Sequence, residues 1–304
     1  MLTVATSGFG PISFVDNLID GGTPTPGRGM TVGGNPLLVR GNHIRGFRDE
    51  GIYVVGLTTD GQTESVLIEG NTLKDIGCAD TNSVPSAGGG AQTSGSADAH
   101  CDHDGEDVHD VITGFNNCGS DGKVIGGVTV IGNKIIGGGS AQIMDEAIHF
   151  HTCARASIND NHIDYNGSTN SAMGNYGISN FAQAHDNTIL GGPYYGMSTS
   201  VDQPHAKGNY IENPVNRGIY VHNAAADFVA IGNAIVGAST TVRAIDATGQ
   251  RPICVHNISR SGTTSDLLFY CGEGGADASC ATDAAADGIC NQNQVCNTND
   301  SDCS

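Results

Sequence analysis

The chain has 304 residues, with 45 Gly, no Trp, 5% aromatic and 15% charged residues. Its 13 basic residues stand against 32 acidic ones, a formal charge of −19, and that field repels nucleic-acid phosphates and anionic membranes. No apolar run reaches the length of about 18 residues that a membrane-spanning helix needs, and Gly without a strict three-residue period excludes collagen.

The opening MLTVATSGFG has neither a basic n-region nor an apolar h-region, so an exported form is expected to have lost its signal. From Ile12 onward one segment type recurs: alternating apolar residues, then Gly-Asn or Asp-Asn, then another apolar residue. It reads ISFVDNLI at Ile12–Ile19, LLVRGNHI at Leu37–Ile44 and VLIEGNTL at Val66–Leu73. It returns as VTVIGNKI at Val128–Ile135, ASINDNHI at Ala156–Ile163 and AQAHDNTI at Ala182–Ile189. Weaker copies end in Ile211, Ile235 and Ile258. The Asn residues fall at 17, 42, 71, 133, 161, 187, 209, 233 and 257, so the gaps are 25, 29, 62, 28, 26, 22, 24 and 24. Only the 62 is out of line, and an insertion at about 78–123 accounts for it. Between the Asn residues lies a second element: GIYV at Gly51, EAIHF at Glu146, YGISN at Tyr176, YGMST at Tyr195, RGIYV at Arg217 and RAIDA at Arg243.

Each repeat therefore holds two or three short strands of period 2. None buries its apolar face alone; stacking the repeats does, with rungs about 4.8 Å apart. Gly-Asn suits the turn because both residues tolerate the left-handed conformation, and Asn amides at matching turns can hydrogen-bond along the stack. Parallel crossovers are overwhelmingly right-handed. The expected fold is an all-β, right-handed parallel β-helix over residues 1–270, closed by a Cys-rich tail or cap over 271–304.

These segments resemble the right-handed parallel β-helix repeat of carbohydrate-binding proteins, sugar hydrolases and polysaccharide lyases. The resemblance implies a polysaccharide partner and leaves the reaction open. The tail, with five of the ten Cys, resembles a short Cys-rich module of secreted microbial proteins. An even, high Cys count points the same way, to disulfides and an extracellular setting.

Aligning the second strands, with DVHDV (residues 107–111) as the rung inside the insertion, turns one side chain pair per rung outward. These are Tyr53 and Val55, His109 and Val111, His149 and His151, Ser179 and Phe181, Ser198 and Ser200, Tyr220 and His222, and Asp246 and Thr248. Arg48, Asp107, Asp145 and Glu146 enter the same strands. The expected catalytic set is His149, His109, Tyr53, Arg48, Asp145 and Glu146. His151, Asp107, Tyr195, Arg217, Tyr220 and His222 are the expected substrate-binding residues, the tyrosines as a sugar-stacking subsite.

The leading chemistry is β-elimination on a uronate glycan, with a His as acid or base and Arg48 neutralising the uronate. The runner-up is hydrolysis by paired carboxylates, since MDEAIHF resembles the paired-acid strand of polygalacturonase-like hydrolases, although the other motifs of that family are missing. A Ca²⁺ ion at Asp102, Asp104 and Asp107 would offset the acidic field, and His149, His151, His109 and a carboxylate offer a Zn²⁺ alternative. The rival to any enzyme is a non-catalytic, adhesive glycan-binding solenoid, which the missing Trp and the acidic charge favour.

Overall fold

The computed structural model describes residues 2–4, 11–25, 27–33, 36–47, 50–54, 65–77, 110–114, 127–138, 144, 146–150, 155–166, 176–222, 227–238, 243–247, 252–261 and 268–271. Among them there is no helix, and so none that could cross a membrane. Every strand pairing is parallel, and the strands form three sheets of 10, 9 and 9 strands. Successive strands in the chain visit the three sheets in turn, A then B then C. The chain is thus a parallel β-helix of the expected right-handed type. The Cys-rich tail beyond Cys271 lies outside the described residues.

Each repeat segment supplies one strand to sheet B and one to sheet C, folded about the Asn. Leu37–Arg40 lies in sheet B and His43–Phe47 in sheet C. The residue before each Asn carries the left-handed backbone, with φ of 66° at Gly41, 64° at Gly132 and 54° at Asp160. This corrects the expectation for the pair: only its first residue turns left-handed, which is why Gly or Asp stands there in every copy but the last, where His256 takes φ 56°. The Asn has another task. Its backbone N–H and its side-chain Nδ2 both donate to the Oδ1 of the next coil's Asn, from Asn17 through to Asn257, at 2.8–3.1 Å. Asn71 bonds directly to Asn133 across the 62-residue gap. The inserted residues therefore belong to a single coil, which keeps its own sheet-A strand at Ile112–Gly114.

The core is a stack of aliphatic columns. Sheet C contributes Ile44, Leu73, Ile135, Ile163, Ile189, Ile211 and Ile235, all buried. Sheet A contributes Met30, Ile52, Ile112, Ile148, Ile178, Met197, Ile219 and Ile245 in register. The residue before this sheet-A column also faces inward, against the sheet-C column. At Gly196 a Cβ would stand 2.5 Å from the carbonyl oxygen of Gly218 and 2.5 Å from Cγ2 of Ile211. Gly196→Ala is therefore expected to destabilise the fold by about 1–3 kcal/mol through overpacking, read as a lower midpoint in chemical unfolding.

Because two consecutive residues face inward, the outward positions of sheet A lie three apart. A leading column runs Arg28, Glu50, Asp110, Glu146, Tyr176, Tyr195 and Arg217, each two residues before the inward aliphatic residue of its strand. A second column runs Thr31, Tyr53, Thr113, His149, Ser179, Ser198, Tyr220 and Asp246. Phe181 does not join it. Asn180 takes φ 53° and ends the strand, so Phe181 starts the next sheet-B strand and is fully buried.

Candidate functional site

The outward face of sheet A collects polar and aromatic side chains from distant parts of the chain into three adjoining clusters. In the first, Arg28 Nε donates to Glu50 Oε2 at 2.6 Å, and the guanidinium lies 3.8 Å over the ring of Tyr53. Glu50 is buried, so its charge is balanced by Arg28 rather than by water.

The middle cluster joins two coils. Nδ1 of His149 stands 2.8 Å from Oε2 of Glu146 and 3.0 Å from Oδ2 of Asp110. Ser179, one coil further on, donates its hydroxyl to Oε2 of Glu146 at 2.6 Å. The amide nitrogen of Asn180 lies 3.4 Å from Nε2 of His149. Asp110 is 0% exposed, His149 7% and Glu146 8%, so the last two form the outer rim of the cluster. Burial, and then the charge of Glu146, push the Asp110 carboxyl up to about 7, against the hydrogen bonds of His149 and Thr113. Burial opposes a charge on His149, but the Glu146 charge and the Asp110 hydrogen bond outweigh it and push the imidazole up to about 11. Among the described residues, these three are the one set of metal-competent groups whose ligand atoms lie within 4.8 Å of one another.

The third cluster is a ring stack. Tyr176 and Tyr195 stack at 4.9 Å and 10°, and Tyr195 and Tyr220 at 5.6 Å and 21°. Tyr176 and Tyr195 are register partners on rungs spaced close to the distance at which rings stack, and Tyr220 reaches Tyr195 from the neighbouring column. Arg217 lies 4.3 Å over Tyr220, donates to the Tyr195 hydroxyl at 3.0 Å and pairs with the buried Asp246 at 2.6 Å. Burial works against the Arg217 charge, and Asp246 outweighs it. His222 tilts against Tyr220 at 4.5 Å, with Nε2 3.2 Å from the Ser198 hydroxyl; burial, then Arg217, lowers its pKa.

The structure thus brings Glu146 and His149 together, and separately Tyr195, Arg217, Tyr220 and His222, as the sequence implies. It corrects the role of the tyrosines. Both faces of Tyr195 are covered by its neighbours, so Tyr195 offers a sugar its rim and hydroxyl but no stacking face. Tyr53 is one rung from Thr113 and two from His149, with Arg28 over its ring.

The rung in the insertion is also corrected. Its strand is Ile112–Gly114 rather than DVHDV, and Thr113 takes the register position between Tyr53 and His149 that was expected for His109. Arg48, Asp102, Asp104, Asp107, His109, Asp145 and His151 lie outside the described residues. Asp110 is the member of this cluster that the sequence reading did not assign to the sheet-A face. It precedes Ile112 by two residues, as Glu50 precedes Ile52 and Glu146 precedes Ile148, and aligning these strands on the Ile would have found it.

No family model, no curated protein and no solved structure matches this chain.

Proposed function

We propose that the protein is an extracellular polysaccharide lyase that cleaves a uronate-containing glycan by β-elimination on the outward face of sheet A. The observation that carries this reading is the Asp110–Glu146–His149 cluster, an imidazole held by two carboxylates in mid-face. Arginine–tyrosine clusters flank it along the direction in which an extended glycan would lie. Proton transfer needs positioned acid and base groups, and this is the one place on the described face where three of them converge. The disulfide-bonded state of Cys254 supports an oxidising compartment.

The spacing favours elimination over hydrolysis. Glycosidases set two carboxyl groups on either side of the bond, about 5–5.5 Å or about 6.5–9.5 Å apart. Here Asp110 is fully buried and meets Glu146 on a single ring nitrogen. No sugar fits between them. In elimination the C5–H proton passes to a base at the cluster, the C4–O bond breaks as the C4–C5 double bond forms, and the cluster returns a proton to the leaving oxygen. Asp110 positions His149 from below.

Incubation with a panel of uronate and neutral glycans, followed by the absorbance of unsaturated ends and by a reducing-end assay, tests this. Unsaturated products are expected from a uronate glycan, with about a 10²–10⁴-fold loss of rate in His149→Ala and none in Lys134→Ala, on the outer face of sheet C. Reducing ends without unsaturation would convert the reading to hydrolysis.

A glycan-binding solenoid without catalysis is the second reading. It is favoured by the mutual stacking of Tyr176, Tyr195 and Tyr220 and by the pairing of Arg28 and Arg217 with acids, which fit a structural face. Glycan-array binding without turnover, unaffected by His149→Ala, selects it.

A further inference from the structure

A polyanionic glycan meets a charge problem on this face. Arg28 and Arg217 are each paired at 2.6 Å with a carboxylate, Glu50 and Asp246. The middle cluster sets two carboxylates against one imidazole. We propose that Asp110, Glu146 and His149 bind a divalent transition-metal ion, Mn²⁺ or Zn²⁺. This inference rests on the reading of the sheet-A face as the reaction face and supplies its missing cation.

The geometry suits coordination. Ligands about 2.1 Å from one ion and at right angles to each other are separated by about 3 Å. The Nδ1 of His149 lies 2.8 Å from Glu146 Oε2 and 3.0 Å from Asp110 Oδ2. Nδ1 carries at most one proton, so it cannot donate fully to both carboxylates, whereas an ion seated among the three atoms satisfies all of them. Asp110 provides a separate observation. It is wholly buried and aimed into the cluster through Oδ2, and its Oδ1 is buried with no hydrogen-bond partner among the described residues. A carboxylate chelating through both oxygens would use that atom.

The ligands are also held in place. Asp110 and Glu146 precede paired strands of sheet A, and Ser179 fixes Glu146 from the next coil.

The donor set selects the ion. Ca²⁺ takes about 6–8 oxygen ligands, while an imidazole nitrogen with two carboxylates suits Zn²⁺ or Mn²⁺. Three protein ligands leave positions for water and for the uronate carboxylate. The ion neutralises that carboxylate and acidifies its bound water. Bound hydroxide takes the C5 proton and becomes water. The C4–O bond breaks as the C4–C5 double bond forms, and the bound water returns its proton to the leaving oxygen, restoring hydroxide.

The test uses the full chain, stripped with a chelator and dialysed. MnCl₂, ZnCl₂ and CaCl₂ are titrated by calorimetry, and free Mn²⁺ is followed by its paramagnetic resonance signal. A single equivalent of Mn²⁺ or Zn²⁺ is expected to bind more tightly than Ca²⁺ and to raise the melting temperature. Affinity is expected to fall about tenfold or more in the near-isosteric Asp110→Asn and Glu146→Gln, whose circular dichroism reports the fold. Failure of both ions to bind, tighter Ca²⁺ binding, or unchanged affinity in both variants overturns the inference. Glycan cleavage assayed on the stripped protein separates the two readings. Cleavage undiminished without metal removes the ion and leaves the lyase, whereas metal binding with no cleavage of any glycan removes the lyase and leaves the ion.

Discussion

Replacing Asn161 with Ala is expected to lower the stability of the fold by about 3–5 kcal/mol, the cost of leaving several buried polar groups without partners. The Asn161 amide nitrogen donates to the carbonyls of Val130 and Asn159 and to Oδ1 of Asn187, and its own Oδ1 accepts from the backbone and side-chain nitrogens of Asn133. Removal strands the buried Asn133 backbone N–H and strips the Val130 carbonyl of its side-chain donor. Asn161→Asp is expected to fare no better, because a carboxylate has no N–H for those acceptors. At the first rung, Asn17 is only partly buried and the described residues place no coil before it in the ladder. Asn17→Ala is therefore expected to cost about 1 kcal/mol. Chemical unfolding midpoints for the three variants, with hydrogen exchange at the Asn133 amide, measure the gradient. Equal losses at Asn17 and Asn161 would mean that the ladder is not what holds the turns in register.

The second large effect is a pH dependence in chelator-treated protein. Asp110 rises from its ordinary 3.8 to about 7 on folding. A group raised in this way contributes stability that is fully present below its unfolded value and lost as the pH climbs through its folded value. The window is therefore from about pH 4 to pH 7. His149, raised from 6.5 to about 11, acts with the same sign in the next window. Stability is expected to fall throughout the alkaline direction.

Asp110→Asn keeps an acceptor in place and removes the titration, and Glu146 still holds His149 at 2.8 Å. The variant's profile is expected to be flat across the first window. It should exceed wild type above pH 7 by a few kcal/mol. Among the described residues, the groups facing Asp110 are Glu146, His149 and Thr113, with Glu50 one rung away in the leading column; the variant leaves all four unchanged. Parallel profiles for the two proteins would assign the slope to the general acidic charge of the chain instead of to this carboxylate.

The cluster and the coil differ in how far they can be read from residues alone. The coil is written locally. A left-handed residue, usually Gly or Asp, then Asn, then an aliphatic residue two places on fixes each turn within four positions. Nine copies at near-constant spacing set the stack, including the long gap that Asn71 and Asn133 close. The leading column was less legible, because strict alternation does not foresee two consecutive inward residues such as Gly177 and Ile178.

The amino-acid sequence by itself determined the parallel solenoid, its Asn ladder and its aliphatic columns, since each depends on turn chemistry and a period of two that neighbouring residues express. Only the tertiary structure decided which residue of the insertion faces His149. A strict period of two fits DVHDV as readily as the segment ending in Ile112–Gly114, but it turns Val111 outward, where the structure buries it beside Ile112. Hydrogen bonds to Ile52 on one side and Ile148 on the other chose the second. That choice put Asp110 beneath the imidazole, and Thr113 where His109 was expected.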